Sequence, residues 1–345
     1  MGTQLELIVA GDVAVERDEG EGLFGDLTAR FRDADVSFVN LEGAVSTRGT
    51  LTRGRAYFHR GGPGCAVGLR EAGLSGVCLA NNHMMDWGEA SYEETIEVLD
   101  RNEVPWFGAG ANLTAARRPL VIERDGLTIA LVGATSQIPS GYAATDERCG
   151  VNPVEAHTVY SQQRSLAESP GLPPRIVTWT DPAALERIEA DVSAAAEKAD
   201  VVLVYVHWGT SMHHTVHDYQ REIGRVVIDA GAHAVFGGHQ HVVCGVEHHR
   251  GRPIIHGMGN LVFDKWEPHF TDAAARSVVV QATLDADGIR DVMLLPARCG
   301  VMEAPSLLAP TDAEWDRVVD DLQTGSVGLG TEFVVQDDGI RIQPA

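Results

Sequence analysis

The segment VCLANNHMMDWGE, residues 77–89, decides how the chain is to be interpreted, because polar side chains follow directly on an apolar run. Its first four residues are typical of a strand buried on both faces, and Asn81, Asn82 and His83 come immediately after them. Asn tolerates left-handed backbone and caps helices, so a turn ahead of a helix over 91–99 would explain both amides. The alternative is a functional site at the end of the strand.

Five further apolar runs share this pattern and predict strands of a buried sheet. They cover residues 5–13, 36–43, 129–135, 201–209 and 234–241. Helix-like stretches lie between the runs, at residues 24–33, 64–72, 91–102, 182–198 and 218–229. The alternation predicts an α/β fold whose strands carry a site at their carboxyl ends.

The chain of 345 residues is predicted to form a single domain over residues 1–345. Residues 137–181 are the least regular part, and we expect them to form an insert or cap over the strand ends, where loops often determine specificity. From about residue 257 the pattern changes to β-like segments at 278–285 and 289–297, which are typical of antiparallel strands that complete a sheet.

Composition excludes several classes of protein. No run of about 18 apolar residues is present to span a membrane. The N-terminal segment lacks the basic flank and apolar core of a signal peptide, so we expect a cytoplasmic protein. The five cysteines are scattered without a CxxC pair, which argues against a disulfide framework and against a cysteine zinc site.

The formal net charge of −22 bears on the choice of partner. Such a charge repels a phosphate backbone at long range, and the sequence has no stripe of Lys and Arg to overcome it, so no nucleic-acid partner is expected. Bound divalent ions would reverse the potential locally. A small anionic or peptide-like substrate is therefore compatible with the net charge. The sequence is also compatible with a homo-oligomer.

The predicted strands end in residues of the types that commonly bind metal ions in proteins. These are Asp12, Asn40 with Glu42, Asn82, His207, and His239 with His241. Each alone has an ordinary explanation as a cap, a solvated acid or a packed histidine. The last two are the strongest pair, because residues two apart on an extended segment point the same way and can reach one ion. Carboxylate, amide and imidazole ligands together suit Mn²⁺, Fe or Zn²⁺.

A series of motif blocks resembles the CapA or poly-γ-glutamate-synthesis family, a branch of the calcineurin-like metallophosphoesterases. The resemblance covers about residues 5–265, and GGHQH and NNH are its most telling parts. The blocks are GDV (11–13), FVNLEG (38–43), AYFHRGGP (56–63), ANNHMMDWG (80–88), FGAGAN (107–112), VHWG (206–209) followed by Gln220, DAGAHAVFGGHQHV (229–242) and GMGNLVFD (257–264).

The resemblance implies a four-layer αββα sandwich with two divalent metal ions, Mn, Fe or Zn, at the strand ends. The implied metal ligands are Asp12, Glu42, Asn82, His207, His239 and His241, with Glu42 or a solvent hydroxide as the bridge. His83 resembles the catalytic histidine of the family, placed to protonate a leaving group. Asn40 and Asn260 are expected beside the ligands or in contact with substrate.

One loop departs from the family pattern. Ser211 stands where many relatives carry a glutamate, two residues beyond HWG, and we expect it near the substrate. The same loop supplies His213, His214 and His217, which either line the mouth of the pocket or belong to a solvated loop without a role. These changes leave the implied ligands intact and bear on the choice of substrate.

Three functions are compatible with these observations. The first is a soluble dinuclear metallohydrolase in which metal-activated water attacks a phosphoester or a related small anionic substrate. The second keeps the metals but forms or cleaves an amide, lactam or ester bond on a peptide, γ-glutamyl or natural-product substrate. The third is a non-catalytic component of capsule polymer synthesis.

Overall fold

Two large β-sheets pack face to face in the computed structural model, which describes residues 3–162 and 168–345. The first sheet has ten strands. Eight of them follow the order Thr331–Gln336, Gly339–Pro344, Gly288–Arg298, Arg276–Asp285, Leu5–Ala14, Val36–Leu41, Gly76–Cys78 and Trp106–Phe107, while Asn260–Phe263 pairs with Leu5–Ala14 and Ser306–Leu307 pairs with Gly288–Arg298.

The second sheet has six strands and a parallel centre. Its strands follow the order Val246–His249, Arg252–Ile255, Ala234–Gly238, Val201–His207, Leu127–Thr135 and Leu120–Arg124. Three smaller two-stranded pairs join Ala44–Val45 to Arg60–Gly61, Ala109–Gly110 to Gly150–Val151, and Ala156–Ser161 to Arg175–Thr180.

Helices cover the outer face of each sheet, except Ala313–Gly325, which contributes Trp315, Val318 and Leu322 to the core between the sheets. The α-helices are Leu27–Asp33, Ala66–Glu71, Glu89–Arg101, Leu113–Ala116, Pro182–Ala196, Asp218–Asp229 and Ala313–Gly325, and short 3₁₀ helices span Pro63–Cys65 and Asp272–Ala275. Among the residues that the structure describes, no helix is both long and apolar enough to cross a membrane.

The alternation of side chains along the strands produces four layers. In the strand Leu5–Ala14, Leu7 and Val9 belong to the core between the sheets, whereas Ile8 and Ala10 pack against the helices at 27–101. Both faces of the strand are therefore buried, as expected of a strand between two apolar layers.

The second sheet repeats this arrangement on the other side of the core. Leu203 and Tyr205 of the strand Val201–His207 face the first sheet, and Val202 and Val204 pack with the helices at 182–229. The predicted αββα sandwich is confirmed by these layers.

Two predicted strands are shorter than expected. The strand predicted at 77–83 is Gly76–Cys78, and the strand predicted at 234–241 ends at Gly238. In both places the polar residues lie beyond the strand in a turn. Turn residues do not alternate between two faces as strand residues do, so each side chain can point in its own direction.

The predicted insert at 137–181 contains regular structure. The strand Gly150–Val151 is followed by the antiparallel hairpin Ala156–Ser161 and Arg175–Thr180, and residues 163–167 lie outside the described residues. That this segment is a cap, and that residues 1–345 form one domain, stay predictions.

Candidate metal centre

The carboxyl ends of strands from both sheets meet at one edge of the sandwich. Asp12 lies near the end of its strand in the first sheet, and Glu42 directly follows Val36–Leu41. In the second sheet His207 is the last residue of its strand and is paired with Gly238 in the neighbouring strand. Parallel pairing within each sheet therefore brings four strand ends to one place.

Backbone must approach very closely here, which explains the double glycine of GGHQH. A Cβ at Gly238 would overlap the Tyr205 hydroxyl and the Asp12 carboxylate. A side chain at this position would therefore displace Asp12. The turn that follows places His239 and His241 in left-handed backbone, with φ of 89° and 59°.

Two overlapping groups of side chains bring ligand atoms together. Asp12, Glu42 and His241 form one group, and Glu42, His207 and His239 form the other, with the atoms of each group within 4.8 Å of one another. Glu42 belongs to both groups. This is the arrangement that a carboxylate bridging two ions requires.

Unpaired buried atoms test whether these residues fit metal ions. Within residues 3–162 and 168–345, both carboxylate oxygens of Glu42 and Nδ1 of His239 have no hydrogen-bond partner although they are buried. A carboxylate with neither a donor nor a cation is very costly to bury. Burial, followed by the nearby Asp12, raises the pKa of Glu42 to about 8. A divalent cation would compensate both effects, so the donor set fits such ions.

Hydrogen bonds orient the Asp12 carboxylate. Asn40 donates to its Oδ1 at 2.8 Å, the Tyr205 hydroxyl donates to the same oxygen at 2.9 Å, and the backbone N–H of His239 donates to Oδ2 at 2.9 Å. Such contacts fix the direction of a ligand and tune its affinity. Asn40 thus lies beside the candidate ligands, where the sequence predicted it.

The two asparagines of the opening segment do different work. Asn81 organises the turn, because its Oδ1 accepts the backbone N–H groups of His83 and Met84 at 3.1 Å each. Oδ1 of Asn82 lies 2.7 Å from Nε2 of His207, so these two atoms can approach the same ion. Asn81 therefore forms the turn, whereas Asn82 lies among the candidate ligands.

The ring of His241 is fixed in a similar way. Its Nδ1 donates to Oδ1 of Asn260 at 2.9 Å, and Asn260 in turn donates to the carbonyl of Ala274 at 3.2 Å. This pair of contacts fixes which nitrogen carries the proton and leaves Nε2 available as a candidate ligand.

His83 lies between the candidate ligands and a second carboxylate. Its Nδ1 contacts Asp86 at 2.6 Å, and its Nε2 lies 3.8 Å from Glu42. Arg55 and the Tyr142 hydroxyl each donate to Asp86 at 2.8 Å. Burial, followed by the charges of its neighbours, holds the pKa of His83 well below its usual value. Asp86 therefore orients the imidazole ring so that Nε2 faces Glu42, the residue shared by the two candidate ligand groups.

A cavity of about 320 Å³ opens above these groups. Ser211 lies in its wall, and the Ser211 hydroxyl is 3.0 Å from Nε2 of His269. Other lining side chains are Arg55, Tyr57, His59, Asn82, His83, His239, His241, Phe263, Glu267, His269 and Phe270. Arg55 and five histidines make nitrogen-bearing side chains the commonest polar groups in the lining, which suits an anion.

The structure places the loop histidines and the GGHQH pair in different surroundings, and a role of the loop histidines at the cavity mouth stays a prediction. His213, His214 and His217 lie outside the lining of this cavity. Nδ1 of His214 contacts the carbonyl of Val243 at 2.8 Å, and Nε2 of His217 contacts the Thr210 hydroxyl at 3.0 Å, so both side chains have local partners. The extended segment expected for the GGHQH pair is a left-handed turn, although its two imidazole rings still lie only 5.6 Å apart.

Several residues that shape the site were not predicted from the sequence. His59 stands inside the AYFHRGGP block and Asp86 follows His83 by three residues, so both had a signal that could have been used. Arg55, Tyr205 and Glu267 had none, since an isolated charged or aromatic residue in a loop or strand is compatible with many positions.

The family follows from comparison with known proteins. A profile of the family described as bacterial capsule synthesis protein PGA_cap matches residues 6–265. The chain belongs to this family. Among PGA_cap relatives, the PGA biosynthesis protein CapA of Bacillus subtilis (strain 168) is 25% identical over 261 residues, which cover 75% of this chain and 61% of the relative. The chain thus matches less than two thirds of that protein.

A second protein and a solved structure are also similar to this chain. A probable polyglutamine synthesis accessory protein of Mycobacterium tuberculosis (strain CDC 1551 / Oshkosh) is 26% identical over 321 residues, 90% of this chain and 78% of that one. The crystal structure of a novel phosphatase from Mycoplasma pneumoniae has a TM-score of 0.51 and 13% identity, covering 86% of this chain and 94% of that one. The latter is a likeness of fold, and it agrees with the calcineurin-like metallophosphoesterase sandwich predicted from the motifs.

Proposed function

We propose that this PGA_cap chain is a dinuclear metal-dependent hydrolase that cleaves a phosphoester or a related small anionic substrate. The observation that carries the proposal is Glu42, which belongs to both ligand groups and has two buried oxygens without a partner among the described residues. One ion would be held by Asp12, Glu42 and His241. The other would be held by Glu42, His207 and His239 together with Asn82.

Such ions would supply Lewis acidity and lower the pKa of a water molecule. The protein holds the candidate ligand side chains in fixed orientations. Asn40 and Tyr205 fix the Asp12 carboxylate, and Asn260 fixes the ring of His241, so the ligands need little reorganisation when they bind.

His83 is proposed as the group that handles the proton of the leaving atom. Its Nδ1 is held by Asp86, so its Nε2 faces the cavity side of Glu42. Arg55 and Tyr142 hold Asp86 from behind, which restricts rotation of the imidazole. A base or acid fixed in this way acts at one atom of the substrate rather than exchanging protons with bulk water.

A second candidate is the cleavage or formation of an amide, lactam or ester bond on a peptide-like or γ-glutamyl substrate. It is favoured by the name of the Bacillus subtilis relative, a PGA biosynthesis protein. It is also favoured by Ser211, a small hydroxyl in the cavity wall, which leaves room for a substrate larger than a phosphate group.

The first test is elemental analysis of protein purified without chelator or nickel. We expect about two equivalents of Mn, Fe or Zn in the wild type and loss of both in a His239→Ala/His241→Ala double variant. His214→Ala is the matched control, because this histidine lies outside the cavity lining. Little metal in the wild type even after reconstitution would contradict the proposal and favour a non-catalytic role in polymer synthesis.

The second test separates the metals from the reaction. The metal-loaded protein is given a panel of phosphoesters beside γ-glutamyl and peptide amides, and His83→Ala is compared with wild type. We expect phosphoester cleavage that falls by a factor of about 10² to 10⁴ in the variant, with unchanged metal content. Cleavage of the amides alone would replace the first candidate by the second.

A further inference from the structure

Glu267 is a buried carboxylate in the cavity wall that the proposed reaction does not use. The residue is 4% exposed and lines the same cavity as His83 and His241. Its Oε1 has no hydrogen-bond partner in the part of the chain that the structure describes. The backbone carbonyl of Glu267 accepts the N–H of Phe270 at 2.9 Å, which fixes this turn.

The nearest side-chain nitrogens to this oxygen already have other partners. Nε2 of His59 and Nζ of Lys265 each lie 3.9 Å from Oε1, beyond hydrogen-bond distance. Nζ of Lys265 donates to the carbonyl of Phe58 at 3.2 Å and lies 3.8 Å from the centre of the Phe58 ring. Nδ1 of His59 contacts Glu16 at 2.9 Å. Neither nitrogen is placed to donate a hydrogen bond to the unpaired oxygen of Glu267.

The charge of the lining makes this carboxylate distinctive. Arg55, His59, His83 and His269 present nitrogen atoms to the cavity, and among the described residues Glu267 is the single acidic side chain in its lining. A buried carboxylate oxygen without a donor is unfavourable, and a charged N–H donor is its strongest partner. A ligand that fits the whole lining therefore combines an anionic group with a cationic nitrogen.

We infer that Glu267 binds an ammonium group of the substrate, so that the cavity selects small anions that also carry a primary amine. The inference rests on the proposed function for the anionic half of the substrate. Glu267 would act on specificity only: its carboxylate would accept hydrogen bonds from the amine while the candidate metal groups hold the anion.

Non-hydrolysable phosphonates test this selection without relying on turnover. Binding of 2-aminoethylphosphonate to the metal-loaded protein is compared by calorimetry with binding of propylphosphonate, which has a methyl group in place of the ammonium group. The pair 3-aminopropylphosphonate and butylphosphonate extends the reach by one methylene. In the wild type we expect the amine of at least one pair to bind about tenfold more tightly than its alkyl partner.

Two isosteric variants separate contact from general charge. Glu267→Gln is expected to bind the amine and its alkyl partner within about twofold of each other, with the alkyl affinity unchanged. Glu16→Gln removes one negative charge from the other side of His59 but lies outside the cavity lining, so it is expected to keep the tenfold preference. Circular dichroism and metal analysis confirm that both variants are folded and loaded.

Each other outcome overturns a defined statement. Equal binding of both members of each pair to the wild type, a preference that survives in Glu267→Gln, or a preference lost equally in Glu16→Gln would overturn the role of Glu267 and leave the proposed function standing. If no phosphonate binds to protein that holds its metals, the anionic substrate class of the proposed function is wrong, and this inference falls with it.

Discussion

Glu247 tests whether buried charge stabilises the part of the fold that supports the candidate ligands. Its side chain is 1% exposed and accepts hydrogen bonds from Arg221 at 3.1 Å and Arg225 at 2.6 Å, with His256 at 3.4 Å. The carbonyl of His256 in turn accepts the side-chain N–H groups of Trp208 and Gln240. The perturbation is Glu247→Gln, which keeps the shape of the side chain and removes its charge.

The size of the effect follows from the pKa of Glu247. Burial alone would raise it, but hydrogen bonds from His256, Arg221 and Arg225 outweigh burial and lower the pKa from 4.5 to about 2. A difference of this size corresponds to at most about 3 kcal/mol of folding free energy at neutral pH. Side chains of both arginines are about a third or more exposed, so solvent screening reduces the expected value to about 1–2 kcal/mol.

The direction of the pKa shift of Glu247 determines how the stability of the protein depends on pH. Because the folded pKa is depressed, the stabilisation by Glu247 is fully present above the unfolded pKa of 4.5 and is lost as the pH falls from there toward about 2. Urea unfolding of wild type and variant, followed by circular dichroism, measures the difference at pH 7 and again near pH 3.5. We expect about 1–2 kcal/mol at pH 7 and a clearly smaller difference at the lower pH.

Glu189→Gln is the control, because this glutamate is exposed on the helix Pro182–Ala196 and should change stability by less than about 0.5 kcal/mol. A Glu247→Gln effect no larger than this control at pH 7, or one that stays constant down to pH 3.5, would show that the ion pairs do not stabilise the fold.

Two further predictions concern the surroundings of Asp12. Tyr205→Phe removes one hydrogen bond to this carboxylate, so metal affinity measured by titration should fall about tenfold while the free energy of unfolding of the metal-free protein changes little; unchanged affinity would contradict the orienting role. Gly238→Ala should destabilise the protein by about 1–3 kcal/mol in urea unfolding, because the added methyl overlaps Tyr205 and Asp12; a neutral result would mean that the strand ends shift easily.

The sequence predicted those parts of the fold and site that depend on short-range pattern. Continuous apolar runs identified the strands, because alternate apolar side chains along most of Leu5–Ala14 pack on two different apolar layers. The implied ligands lie close together because they stand at or just beyond strand ends, which strand pairing brings to one edge of the sandwich. Asn82 and His207 meet in this way although 125 positions separate them.

The remaining features depend on loops whose paths the pattern does not determine. Arg55 and Glu267 reach the cavity from separate loops, and no periodicity specifies where a loop side chain points. The same limit applies to His213 and His217: residues close in sequence to HWG were expected at the cavity mouth, and neither is among the residues that line this cavity.

The net charge of −22 and a cavity whose commonest polar lining groups are nitrogen-bearing side chains act on different length scales. Charges on the outer surface are screened beyond about 8 Å at physiological salt, so they repel an extended polyanion that must approach along the surface. A small anion inside the cavity instead meets the guanidinium of Arg55 and the ring nitrogens of His59 and His269 at short range. Divalent ions bound at Glu42 would strengthen this local attraction. Surface charge and cavity lining together therefore favour small anionic substrates over polymeric ones, and they do so without any contribution from Glu267.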